Sequence, residues 1–157
     1  MYAVLLFSLL PKVRSVHLLS LLLLPGTVAH ELCHWFAAAI SNGKPSEITF
    51  VPKSKDNSDR VVLGEVRFVP KWYNGAFIAL APLWLIPLVF GLTADLMEQV
   101  SVPAGILLAY ANGSMLYASI PSWTDWNLAV KNFIGIPIVL FTLWAICVTI
   151  FESYQLI

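Results

Sequence analysis

Apolar residues in this chain fall in long runs rather than in one-sided helical stripes. A helix that crosses a bilayer needs about 20 mostly apolar residues. Four stretches qualify or nearly do, at about 16–40, 73–94, 102–120 and 133–151. The first is interrupted by Pro25-Gly26, and the second carries Pro82 and Pro87. Residues 1–10 are apolar but too short to span, so they lie in the interface or extend the first helix across a break. Between the first two runs the helical period disappears. Glu47-Ile48-Thr49-Phe50-Val51 alternates, 53–60 is a charged turn, and 61–69 is β-branched around Gly64. That pattern predicts a β-hairpin over about 46–70, with Gly64 a candidate bulge. The expected architecture is mainly α: a single membrane-embedded, multi-pass domain over 1–157, with about four transmembrane helices and a small β-hairpin insert between the first and second.

Composition agrees with the pattern. Hydrophobic residues make up 59% of the chain and charged residues 11%, against about 45–50% and about 25% in soluble domains. A water-soluble surface cannot be built from this, and the chain is too apolar for low-complexity disorder. Nine basic and nine acidic residues give a net charge of +0, which leaves no basic field for nucleic acid. Cys33 and Cys147 both lie in apolar runs and predict no disulfide framework. No basic residue precedes the apolar start, so no cleavable signal peptide is expected. Lys44, Lys53, Lys55, Arg60, Arg67 and Lys71 lie between the first two spans and Lys131 between the last two. The positive-inside bias therefore puts 41–72 in the cytoplasm, and Trp72, Tyr73, Trp123 and Trp126 fall at the same boundary.

One five-residue stretch carries chemistry. His30-Glu31-Leu32-Cys33-His34 is an H-E-x-x-H motif. On a helix the two histidines differ by about 40° and face one way, while Glu31 sits about 60° further round. Two imidazoles so placed can share one metal ion, and the carboxylate can reach a water beside it. Zinc is the default ion for two nitrogens plus an oxygen. A charge at the bilayer centre costs about 2.5–3.5 kcal/mol on insertion scales, and metal ligation would offset it; a hydrogen-bonded polar cluster across helices is the plainer alternative. A third protein ligand is expected. Glu47, Asp56, Asp59 and Glu65 belong to the hairpin, Asp95 and Glu98 to the opposite side, and Glu152 to the tail. Asp125 remains, in Pro121-Ser122-Trp123-Thr124-Asp125-Trp126, as third ligand or as a helix N-cap. To reach the histidines, residues 119–125 must dip inward, which Pro121 would permit.

These residues resemble a family. Pro25-Gly26-Thr27-Val28-Ala29-His30-Glu31-Leu32-Cys33-His34, a β-rich insert, and then a Pro-containing segment ending in Asp look like the site-2 protease group of intramembrane zinc metalloproteases, in particular its small prokaryotic members. The resemblance runs in order over about 23–128. It implies zinc held by His30, His34 and Asp125, with Glu31 activating water, and an integral protein of a prokaryotic plasma membrane that cleaves peptide bonds of membrane protein substrates. Typical members continue Asp-Gly after an Asn-Pro-rich stretch, whereas here Trp126 follows Asp125. Asn112 stands as the substitute for the substrate-contacting asparagine, or as a helix-packing amide beside Gly113 and Ser114.

Mechanistically, a substrate helix must unwind before its amides can be attacked. The hairpin could pair with an extended substrate, or it could simply plug the site. Pro82 and Pro87 could kink the second span to open a path. The competing functional class is a non-proteolytic metal-binding membrane protein, either a regulatory partner or a transporter component.

Overall fold

The computed structural model describes residues 16–50, 53–54 and 61–155; residues 1–10 and most of the charged turn fall outside them. Helices α1 (Val16–Leu22) and α2 (Leu24–Ile40) open the chain. The hairpin strands follow as β1 (Ile48–Thr49), β2 (Lys53–Ser54), β3 (Val61–Val62) and β4 (Glu65–Val66). Next come α3 (Gly75–Ala79), a 3-10 turn (Ala81–Trp84), α4 (Leu85–Gln99), α5 (Val102–Ala118) and α6 (Trp123–Lys131). A short 3-10 turn, Phe133–Gly135, leads into α7 (Ile136–Gln155). The fold is mainly helical. Among the described residues one segment, Phe133–Ser153, is both long and apolar enough to cross a membrane, with a mean hydropathy of 2.5 over its best window.

Prolines explain why the first two apolar runs are broken. Pro25 does not interrupt the first run where it stands. It occupies the first turn of α2, where a missing N–H costs nothing, and the break falls at Leu23. An unbroken helix would pair the carbonyls of Leu21 and Leu22 with the N–H groups of residues 25 and 26. Pro25 has none, and Gly26 N–H instead donates to Ser114 Oγ at 2.8 Å. The Tyr110 hydroxyl takes over, donating to Leu22 O at 2.8 Å. The second run breaks at Pro82, between α3 and α4.

Helices α2 and α5 form the central pair. Tyr110 meets Leu22, Ser114 meets Gly26, and Ala118 meets His30, one turn apart on both chains. The two helices therefore run parallel. A Cβ at Gly26 would lie 2.1 Å from Ser114 O, so only glycine permits this approach. Small residues do the same elsewhere: Ala37, Ala38, Ala76, Ala79, Ala81 and Ala129 are all fully buried, which lets α2, α3, α6 and α7 approach closely. Cys33 is buried and Cys147 exposed; both are free.

The hairpin is present and antiparallel. Ile48 opposes Val66 and Thr49 opposes Glu65, while Lys53 opposes Val62 and Ser54 opposes Val61. Three residues separate Thr49 from Lys53 and two separate Val62 from Glu65, so the strand that holds Gly64 carries no extra residue. Gly64 is thus not the bulge the sequence suggests. Its reason for being glycine lies in the site beneath it.

Candidate metal centre

The site is assembled from α2, the end of α3, the end of α5 and the start of α6. Helix α2 supplies His30, Glu31 and His34. His34 is buried and Glu31 is 7% exposed, so neither belongs to a solvated helix face. The imidazole Nε2 atoms of His30 and His34 lie 3.0 Å apart. Asp125 completes the group, with Oδ1 3.5 Å from His34 Nε2 and Oδ2 3.8 Å from His30 Nε2. One donor atom from each residue falls within 4.8 Å of the others. This group could hold a metal ion.

Asp125 gets there because α5 stops early. Its last residue, Ala118, is level with His30, ten residues or about 15 Å short of the end of α2. The chain therefore turns at that depth, with Ser119 buried, and the inward dip expected of 119–125 is present. Helix α6 then starts on a capping box. Ser122 N–H donates to Asp125 Oδ2 at 2.7 Å, and Asp125 N–H donates to Ser122 Oγ at 3.3 Å. Ligand and cap are not alternatives here. Oδ2 caps the helix and lies on the His30 side, while Oδ1 lies on the His34 side. Burial pushes the Asp125 carboxyl up, but the nearby His34 ring and the hydrogen bonds with Ser122 outweigh it and hold the group below the usual carboxylate range.

Both rings are oriented from behind. His30 Nδ1 lies 2.6 Å from Ala118 O, and His34 Nδ1 lies 2.8 Å from Ile78 O. A carbonyl only accepts, so in each neutral ring Nδ1 carries the proton and Nε2 carries a lone pair. Two such nitrogens 3.0 Å apart can share a proton in a hydrogen bond or face a metal cation together. A four-coordinate zinc ion with bonds of about 2.0–2.2 Å would separate its donors by about 3.3–3.6 Å. The Nε2–Nε2 separation of 3.0 Å and the His34 Nε2–Asp125 Oδ1 separation of 3.5 Å lie within a few tenths of an ångström of that range. The donor set and the carbonyls behind it fit a divalent ion of this kind.

The hairpin roofs the site. A Cβ at Gly64 would lie 2.8 Å from Glu31 Oε1 and 2.7 Å from its Cγ. Phe68, just beyond β4, stacks on the His34 ring with centroids 6.5 Å apart. No hydrogen-bond donor reaches the Glu31 carboxylate among the described residues. Asn112 is not brought to the group. It lies on α5 about 160° round the helix from Ser114, and it is Ser114 that faces α2. Sequence reasoning missed the carbonyls of Ala118 and Ile78; the prolines at 121 and 82 were the signal that could have found them.

Comparison with protein-family models, with curated proteins and with solved structures returns no match.

Proposed function

We propose that this chain is a zinc-dependent intramembrane endopeptidase that hydrolyses peptide bonds of membrane protein substrates. One observation carries the reading: two imidazole Nε2 atoms face each other and the Asp125 carboxylate, with a second carboxylate, Glu31, buried beside them yet outside that group. A site that only stored or sensed a metal would have no use for that second group. This favours a hydrolase over the non-proteolytic alternative.

Within this reading, zinc when bound lowers the pKa of water toward about 7 and polarises a scissile carbonyl. Glu31 accepts the proton released as water attacks and delivers it to the leaving amine, as a general base and then a general acid. Its freedom from hydrogen-bond donors keeps it available for that transfer. Asp125 keeps Oδ1 toward the ion because Oδ2 is engaged by Ser122 N–H. The hairpin offers an unpaired strand edge to an extended substrate by β-augmentation.

The membrane setting has its own support. Phe36, Phe90, Leu107, Phe141 and Trp144 are all more than half exposed, on four different helices, a surface suited to lipid rather than water. Parallel α2 and α5, joined through α4, suit a chain that crosses alternately, with the kinked runs counted as spans. The basic hairpin side would face the cytoplasm, at a plasma membrane.

The test is the purified full-length chain reconstituted in vesicles with a single-pass membrane protein substrate. Cleavage is expected, and it should stop on chelation and return with added zinc. Cleavage indifferent to chelator would contradict the zinc mechanism; stoichiometric zinc with no cleavage of any membrane substrate would favour the non-proteolytic class.

A further inference from the structure

His34 is held by a carbonyl that a continuous helix would have engaged. In an unbroken α-helix, Ile78 O would accept from the N–H of residue 82. Residue 82 is Pro82, which has no N–H, and it is buried among the residues of the 3-10 turn. Of the neighbouring donors, Leu83 N–H goes to Leu80 O at 3.0 Å, and Leu80 N–H is shared between Ala76 O, at 2.9 Å, and Ile78 O. The α-helical position on Ile78 O, which has a second lone pair beside the one Leu80 N–H approaches, is left for His34 Nδ1, 2.8 Å away and 44 residues distant in sequence. His30 is held in the same manner. The α-helical donor to Ala118 O would be Ser122 N–H, which is engaged by Asp125 Oδ2, and the 3-10 donor would be residue 121, again a proline.

We infer that Pro82 is a positioning residue for the metal centre. By withholding an N–H from Ile78 O, it reserves that oxygen for His34 Nδ1, which fixes the tautomer and ring plane that turn Nε2 toward His30 and Asp125. The inference rests on the metal-centre reading, because presenting Nε2 matters only if something binds there. Pro87 is the internal comparison. It lies five residues further on in α4, and the carbonyl it leaves without an α-helical donor, Leu83 O, is likewise approached by the N–H two residues on, that of Leu85, but touches neither histidine.

The experiment uses the full-length chain with ¹⁵N-histidine, in nanodiscs, metal-free and with zinc chloride added. Wild type should show His34 protonated at Nδ1 and bare at Nε2. Pro82→Ala restores a competing donor, so His34 should become a tautomer mixture. Zinc affinity should fall by about 10–100-fold, the range for a lost outer partner. Pro87→Ala should keep the wild-type tautomer and affinity. A Pro82→Ala protein with both unchanged overturns the inference. So does a wild-type His34 protonated at Nε2, which needs no variant and stands even if Pro82→Ala fails to fold. A wild type that binds no zinc but shows the Nδ1 proton, lost in Pro82→Ala, supports the Pro82–His34 link and refutes the zinc reading instead.

Discussion

Replacing Glu31 with Gln is expected to lower cleavage by about two to four orders of magnitude, the range for a positioned general base, with zinc content unchanged. Gln matches Glu in size, so it fits the space under Gly64, where an added methyl would already collide. It cannot accept the proton of an attacking water. Because Glu31 lies outside the His30, His34 and Asp125 group, its loss removes no ligand. Turnover in vesicles, paired with metal analysis of the same preparation, checks both halves. Full turnover in Glu31→Gln would remove this residue as the base.

The second large effect concerns the ligands. His34→Ala should abolish stable zinc binding, since a hydrolytic site has three protein ligands and His34 Nε2 sits 3.0 Å and 3.5 Å from the other two. At Asp125 the informative change is Asp125→Asn. An Ala there would also remove half of the capping box, and caps are worth about 0.5–2 kcal/mol. Asn retains an acceptor for Ser122 N–H but brings no charge to the ion. Its zinc affinity should fall by more than the roughly 10–100-fold expected for an outer partner, while α6 stays folded. Helicity by circular dichroism and zinc titration separate the two effects. Undiminished zinc affinity in Asp125→Asn would mean that the third ligand lies elsewhere.

The core of the site was legible because it is local. Positions 30 and 34 share a face by helix geometry alone, and Asp125 followed from a short inventory of carboxylates. The hairpin was legible from its alternation and its charged turn. What could not be read depends on contacts between residues far apart in sequence. Helix α6 is nine residues long, too short for a period to stand out, although Ser122 and Asp125 already spell its capping box. The break at Leu23 rather than at Pro25-Gly26 follows from Tyr110 and Ser114, some 88 residues away. Gly64 reads as a bulge from its strand context. Only the fold puts Glu31 beneath it and makes closeness the reason for glycine. Asn112 enters by resemblance alone, and in the fold it is Ser114, two residues on, that packs against α2. Prolines read in sequence as kinks act in the fold as missing donors, and that role appears only once the residue using the freed carbonyl is known.

The most direct test of the central claim is X-ray absorption at the zinc edge on the purified, zinc-loaded chain. The account predicts a first shell of nitrogen and oxygen only, at about 2.0–2.2 Å, with multiple scattering from two imidazoles that is lost in His34→Ala. A sulfur shell near about 2.3 Å, or a spectrum that His34→Ala leaves unchanged, would contradict it.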